Sequence, residues 1–460
     1  MSAVSPTIFR AYDIRGTYPD QLNAEMVKTL GQAIGTYAHD QGQTTVVTAR
    51  DGRLSGPELH NALNEGLVRA GIQVIDIGMV PTPVLYHAAL ALGTGSGVMV
   101  TGSHNPPKFN GFKMMIDSHT LYDEDITNLY EMMTQPKLKI SEGSLVTADG
   151  LSPYIDQIIG DIRLEKPLKV SIDCGNGVAG VCAHALFEQL GCTVVPLFTE
   201  VDGTFPNHHP DPSKPENLTD VIGSVLSEKC DLGLAFDGDG DRVGLITEKG
   251  QSIFADRLMM LLSQDVLSRN AGAIIIYDVK CSRHLEAVIK QAGGHPLMWK
   301  TGHSLVKAKM KETGALLGGE MSGHIFFKER WLGFDDGLYT AARLLEIFAK
   351  TDQTISSIFE SIPDDVSTPE INIEVPEAEK FAIVERVASI IADQGLPLST
   401  IDGVRVDLDS GWGLIRGSNT TPNLVLRFEA ESTEALAEIQ STILDALKRA
   451  EPTLELGSIC

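Results

Sequence analysis

The sequence has no closely spaced pair of cysteines. Its six cysteines, Cys174, Cys182, Cys192, Cys230, Cys281 and Cys460, are scattered without a CxxC. That excludes a zinc ribbon and a disulfide framework, and it fits a reducing, cytoplasmic setting with free thiols. Long apolar runs are missing too. The longest, such as AGAIIIYDV, fall far short of the roughly 20 residues that cross a bilayer. The first residues, MSAVSPTIFRAYDIRG, have no basic n-region and no apolar h-region, so they do not read as a signal peptide. Low-complexity tracts are absent. Basic residues are scarce: 37 Lys and Arg face 61 Asp and Glu, for a net charge of -24. Such a surface repels nucleic acid and anionic membranes, so neither is expected as a partner. An anionic small substrate would be repelled as well, unless its site were a local basic island.

What is present is the balance of a globular protein, with 43% hydrophobic and 21% charged residues over 460 positions. That length suggests about three domains. One pattern recurs three times: TTVVTARDGRLSGPELHNALNEGLVRAGIQVIDIG, LKVSIDCGNGVAGVCAHALFEQLGCTVVPLF and AGAIIIYDVKCSRHLEAVIKQAGGHPLMW. Each runs from an apolar β-branched stretch through a polar loop and an amphipathic helix into a second apolar stretch, which is the βαβ pattern. Three such units predict three similar α/β domains. The C-terminal part differs. Strand-like TPEINIEV, GVRVDLDSGWGLIRGS and NLVLRFEA lie between two helical stretches, so an α+β domain is expected, with Ser361–Glu370 as linker.

The strongest chemical signal is LGLAFDGDGDRVGLIT. In an extended segment Asp237, Asp239 and Asp241 would point to one side, and three converging carboxylates call for a hard divalent cation. Arg242 follows as a fixed cation. An EF-hand reading fails because its sixth position is Arg242 and its flanks are strand-like. In GGEMSGH, Glu320, Ser322 and His324 alternate along what reads as an extended path. They suit vicinal sugar hydroxyls, or simply a polar turn. In GLIRGSNTTPNLVLRF, Arg416, Ser418, Asn419, Thr420 and Thr421 offer an arginine and small hydroxyls to a phosphate monoester, or form a polar hairpin turn. Lys280, Lys300 and His303 follow apolar strands, where α/β sites lie. Gly175, Gly177 and Gly180 match a dinucleotide-binding G-x-G-x-x-G, with Glu200 twenty residues on. An oxidoreductase, however, gives the other motifs no role. In VMVTGSHNPPKFNGFK the apolar run stops at Thr101. Composition alone reads a turn-rich loop, yet the aspartates need an anion carrier and Ser103 is the best nucleophile available.

The motifs TGSHNP, DGDGDR, GEMSGH and RGSNTTP, in this order, resemble the α-D-phosphohexomutase superfamily, in its bacterial phosphomannomutase/phosphoglucomutase branch. The resemblance runs from FRAYDIRG to the C-terminal region. It implies three related α/β domains with mixed sheets and a C-terminal α+β domain around a central cleft, with bounds at 1–149, 150–251, 252–364 and 365–460. It implies a cytoplasmic, monomeric isomerase acting on hexose 1- and 6-phosphates of mannose or glucose. Ser103 would carry the phosphoryl group, and Asp237, Asp239 and Asp241 would hold Mg²⁺ together with the phosphoserine. Glu320 and Ser322 would read the sugar's 3- and 4-hydroxyls, and the loop of Arg416, Ser418, Asn419 and Thr420 would grip the other phosphate. Tyr12, Arg15, Lys113, Arg242, Lys280, His303 and His324 would line the cleft. Lys113 and His324 are the candidate proton shuttles, and Arg15 belongs to the catalytic set. A hexose 1,6-bisphosphate would be the intermediate and the activator. The basic island would draw on Arg15, Lys108, Lys113, Arg242, Lys280, Lys300 and Arg416. Phosphoglucosamine mutases tend to have Gln where Met321 stands, so amino sugars remain the alternative substrate.

Overall fold

The computed structural model describes residues 4–134, 137–419 and 421–454. The chain forms two compact units. One comprises Met1–Leu258 and His303–Ser361, the other Met259–Gly302 and Ile362–Cys460. The expected third domain, 252–364, therefore contributes to both.

The first unit contains a mixed sheet of seven strands. Its path runs Ile14–Thr17, Phe109–Ile116, Gly97–Val100, Thr45–Arg50, Gln73–Met79 and Ser144–Thr147, and His119–Thr120 pairs off it. Thr45–Arg50 is parallel to Gln73–Met79 and Gly97–Val100, while Phe109–Ile116 returns antiparallel. Val46, Val74, Val98 and Val100 pack with Leu30 and Leu63 of flanking helices in one core. That burial explains why these strands read as near-continuous apolar runs. A five-stranded sheet follows. In it Lys169–Asp173 lies between Thr193–Leu197 and Leu232–Phe236, all parallel, and Val243–Thr247 returns antiparallel. The hairpin Leu317–Gly319 with Ile325–Phe327 completes the strands relevant to the site. Behind it the helix Gly337–Ala349 starts at Asp336, whose side chain accepts from Tyr339 N.

In the second unit Ile274–Asp278 and His295–Trp299 pair in parallel across the helix Arg283–Gln291. This is the third expected βαβ unit, and all three are present. A six-stranded antiparallel sheet is centred on Gly411–Gly417 and Asn423–Ala430. It buries its apolar face under the helices Lys380–Asp393 and Thr433–Ala450, through Ile383, Val387, Ile439 and Ile443. The α+β expectation holds. The linker expectation holds less well. Val366–Ser367 pairs with Ala430 and Glu429, and Asp365 makes ion pairs with Arg283 and His284. Polar residues that read as linker are here fastened to the unit. The five described cysteines are free and buried; Cys460 lies outside the described residues.

Candidate active site

The expected site residues fall in both units. In the first, Gly97–Val100 ends just before the Ser103 loop, and Phe109–Ile116 carries Lys113 back beside it. Ser103 is 2% exposed and has φ of 48°, a left-handed conformation that costs a non-glycine residue about 1–2 kcal/mol. Its amide donates to Thr101 Oγ1 at 2.8 Å. Its hydroxyl donates to Asp237 Oδ2 at 3.2 Å.

Asp237, Asp239 and Asp241 do converge, but not along an extended segment. Leu232–Phe236 and Val243–Thr247 pair in register, with Phe236 opposite Val243, so six residues must reverse the chain. Gly240, at φ of 75°, allows it, and Gly240 N donates to Asp237 O at 3.1 Å. One oxygen from each carboxylate lies within 4.8 Å of the others, and all three residues are fully buried. Asp239 Oδ1 has no hydrogen-bond partner, and Asp241 Oδ1 has only the His324 imidazole, at 3.4 Å. An unserved buried oxygen in an all-carboxylate set fits a hard divalent cation such as Mg²⁺.

Protein cations balance the remaining charge. Lys113 Nζ is 2.7 Å from Asp239 Oδ2 and also contacts Asp241 Oδ2. Arg242 Nε is 3.0 Å from Asp237 Oδ2, and its Nη1 is 3.5 Å from Asp211 Oδ1. Burial pushes the Asp237 carboxyl up to about 7 against the opposing pull of Arg242, with Asp241 and Asp239 adding to the rise. Burial also raises Asp239 and Asp241, yet Lys113 beside both brings each below the usual carboxylate range. Burial alone would lower Lys113, but these carboxylates hold it well above its usual value.

The GGEMSGH segment is likewise a turn rather than an extended path. Gly323, at φ of 99°, donates to Glu320 O, and Glu320 N donates to His324 O. The turn still gathers the three side chains. His324 Nδ1 is 2.9 Å from Ser322 Oγ and 3.2 Å from Glu320 Oε2, and its Nε2 is 3.4 Å from Asp241 Oδ1. A backbone bridge between Arg242 and His324 sets this turn against the aspartate loop. His324 faces His303 at 5.7 Å, and His303 meets Tyr12 edge-on at 5.3 Å. Arg15 donates to Asn105 Oδ1 in the Ser103 loop and pairs with Asp13, each at 2.5 Å. Lys108 is exposed. The first unit's basic groups are thus not a bare basic island, since three buried aspartates require matched cations.

In the second unit Lys280 Nζ is 3.0 Å from Glu370 Oε2 and 3.9 Å from Asp278 Oδ2. Asp278 Oδ2 accepts from Thr301 Oγ1 at 3.0 Å. Thr301 N donates to Asp402 Oδ2, the carboxylate that also takes Arg416 Nε at 3.0 Å. Lys280 and Arg416 thus belong to one polar chain. Ser418 Oγ accepts from Thr421 N and Oγ1 at 3.1 and 2.9 Å, which shapes a tight loop between two strands. Asn419 is half-buried and Lys300 exposed. Thr420 lies outside the described residues.

Sequence patterns missed Thr82, which donates to Asp239 Oδ2 at 2.6 Å, and Asp211, which pairs with Arg242 and His104. They also missed Asp51 and Arg53, just past the strand Thr45–Arg50. The strand-end rule that picked out Lys280 applies there equally. The G-x-G-x-x-G loop serves the aspartate loop: Val178 N donates to Gly238 O at 3.0 Å, and a Cβ on Gly180 would lie 2.0 Å from Thr199 O. Its glycines answer to packing.

Four family models match in order. They are the phosphoglucomutase/phosphomannomutase alpha/beta/alpha domains I, II and III, over residues 6–139, 152–250 and 254–366, and the C-terminal domain, over 370–446. A Pseudomonas aeruginosa phosphomannomutase/phosphoglucomutase is 56% identical over 98% of this chain and 99% of its own. The chain belongs to the phosphoglucomutase/phosphomannomutase family. A Neisseria gonorrhoeae phosphoglucomutase is 49% identical over 96% of each chain. The crystal structure of a Burkholderia thailandensis phosphoglucomutase/phosphomannomutase family protein superposes with a TM-score of 0.93, at 50% identity, over 98% of this chain and 99% of that one. In the family's domain order Ser103 lies in domain I and the aspartate loop in domain II. The Glu320–His324 turn lies in domain III and Arg416 in the C-terminal domain. The glycine loop at Gly175 falls inside the domain II match.

Proposed function

We propose that this protein is a Mg²⁺-dependent phosphohexomutase. It interconverts hexose 1-phosphate and hexose 6-phosphate, of mannose, glucose or both, through a phosphoserine at Ser103 and a hexose 1,6-bisphosphate. One observation carries the reading: a buried serine hydroxyl, held in a strained loop, donates to one of three clustered aspartates. Membership in a family whose members bear mutase names supports it.

In the forward half-reaction the bond between Ser103 Oγ and phosphorus breaks, and a bond from phosphorus to the free hexose hydroxyl forms. The hydroxyl proton passes to His324 in its neutral form; Lys113, held as an ammonium by Asp239 and Asp241, has no site to take it. After the bisphosphate turns over, its other phosphoryl group returns to Ser103 Oγ. Mg²⁺ held by Asp237, Asp239, Asp241 and the phosphoserine would neutralise charge on the transferring group. Lys113 keeps Asp239 and Asp241 ionised, Arg242 opposes the burial that raises Asp237, and both add positive charge. Glu320, Ser322 and His324 present acceptors and a hydroxyl to the sugar ring. Arg416, Ser418, Asn419 and Thr420 take the phosphate that is not being transferred, with Lys280, His303, Tyr12 and Arg15 as further contacts. The bisphosphate also serves as activator, because it rephosphorylates an empty Ser103.

The domain bounds 1–149, 150–251, 252–364 and 365–460 belong to the same proposal. The matched segments support them, and only the third, ending at 366, runs past its bound. Free buried cysteines support a reducing, cytoplasmic setting. No helix among the described residues is long and apolar enough to cross a membrane. We take the enzyme to act as a monomer. A coupled mutase assay with mannose 1-phosphate and glucose 1-phosphate tests the reading. Ser103→Ala is expected to lower kcat by about 10⁴-fold or more and to abolish a protein species one phosphoryl group heavier. Full turnover by that variant ends the carrier role.

A further inference from the structure

Arg53 is among the largest fully buried side chains of the protein, at 1% exposure, and it lies outside every motif singled out for chemistry. All five of its guanidinium N–H groups are engaged. Nε donates to Asp51 Oδ2 at 3.2 Å. The other four go to main-chain carbonyls of one loop. Nη1 reaches Pro106 O at 2.8 Å and Phe109 O at 2.9 Å. Nη2 reaches Ser103 O at 2.7 Å and Asn105 O at 2.6 Å.

Asp51 completes the grip from the other side. Its Oδ2 accepts from Thr101 Oγ1 at 2.8 Å and Gly102 N at 3.2 Å, and Thr101 Oγ1 in turn accepts the Ser103 amide. The N–H and the C=O of Ser103 are therefore both pinned, one through Thr101 and one by Arg53. The two pins meet at the Asp51–Arg53 pair. The packing leaves no slack. A Cβ on Gly102 would fall 2.5 Å from Arg53 Cζ, and one on Gly203 would fall 2.7 Å from Arg53 Cα. The Phe205 ring covers the guanidinium at 5.3 Å.

A left-handed serine does not hold itself, because the surrounding structure must over-determine it. The geometry points to Arg53 as the positioning residue of the phosphoryl-carrier loop: its guanidinium fork, braced by Asp51, holds four loop carbonyls and so fixes where Ser103 Oγ stands relative to the aspartate cluster. Arg53 contacts neither substrate nor the transferring group. Its effect falls on turnover and not on substrate affinity.

The inference rests on Ser103 being the phosphoryl carrier, so the experiment starts with the unaltered enzyme. If that enzyme neither turns over hexose phosphates nor carries phosphate on Ser103, the proposed function fails, whatever Arg53 does. With activity in hand, Arg53→Met and Arg53→Lys are compared by steady-state kinetics on glucose 1-phosphate and by amide hydrogen exchange. Misplacement of a reacting group by about 1 Å costs on the order of 10²-fold in rate. The Met variant is accordingly expected to lose about 10²-fold in kcat, with KM changed by less than about threefold. The Lys variant keeps the charge and the pair with Asp51 but has only three donors and no fork. It is expected to recover part of kcat, with the same KM. Exchange at the amides of residues 102–105, 108 and 109 should quicken in both variants while the core strands stay protected. Folded variants with unaltered kcat, or a loss confined to KM, overturn the inference, as does unchanged exchange in the loop. If the Met variant does not fold, the Lys variant decides by the same readings.

Discussion

Ser103 Oγ and Asp237 Oδ2 lie 3.2 Å apart, although 134 positions separate them in the chain. Between them Gly238 approaches so closely that a Cβ there would stand 2.4 Å from Ser103 O. The carrier loop and the aspartate loop touch through bare backbone. Gly238→Ala must therefore drive the two loops apart. Its expected result is a fall in kcat of about 10²-fold in a protein that still shows a cooperative thermal transition. Unchanged kcat would contradict the close approach.

The aspartate cluster makes metal dependence a matter of stability as well as rate. Chelation should abolish turnover, and added Mg²⁺ should restore it. Mg²⁺ should also raise the melting temperature, by an amount equivalent to about 2.7 kcal/mol at 100 times its dissociation constant. Asp241→Asn removes one ligand charge and should suppress that rise. Differential scanning calorimetry with and without Mg²⁺ checks both, and an equal rise in wild type and variant would remove Asp241 from the ligand set.

Arg416→Gln should act on binding. Charge-assisted hydrogen bonds to a phosphate contribute about 1.5–3 kcal/mol, which corresponds to a rise in KM for hexose phosphates of about 10–10²-fold. Asp402 keeps its bond from Thr301 N, so the fold should persist. The Mg²⁺-induced rise in melting temperature should be the same as in wild type. A variant with wild-type KM would take Arg416 out of the phosphate grip.

His208 gives a pH signature away from the aspartates. Its Nε2 lies 3.0 Å from Asp173 Oδ2, and its Nδ1 lies 3.0 Å from His209 O. Burial pulls the imidazole down, but the bond to Asp173 and its charge outweigh that and raise it above the usual 6.5. A raised folded value binds extra protons in the native state. This stabilisation is complete below about 6.5 and fades as pH rises through the folded value. In Asp173→Asn burial wins, the folded value drops below 6.5, and stability from this group rises with pH instead. Histidine chemical-shift titration of both proteins reads the two values directly, and a His208 value below 6.5 in the wild type would contradict this account.

Much of the fold was legible because it is written in local periodicity. The three βαβ units show as β-branched runs followed by amphipathic helices, and each closes as a parallel pair. The site was legible where chemistry is concentrated in a few adjacent residues, as in DGDGDR and GEMSGH. Their local path was not. Both were expected extended, and both are turns, since an antiparallel strand pair on either side forces the chain to reverse. The G-x-G-x-x-G loop shows that spacing alone does not fix a function. Its spacing is that of a dinucleotide site, yet its glycines answer to the close passage of Gly238 and Thr199.

By itself the sequence determined the α/β units, the excess of acid, the free thiols and the identities of the chemical groups. These depend on side-chain type and on neighbours a few positions away. Tertiary structure alone decided that Lys113 lies between Asp239 and Asp241, that Arg242 meets His324, and that Arg53 holds the carbonyls around Ser103. Each of these is a contact between segments tens to hundreds of residues apart. A buried charge is stable only beside its counter-charge, and no local pattern records which distant residue will supply it.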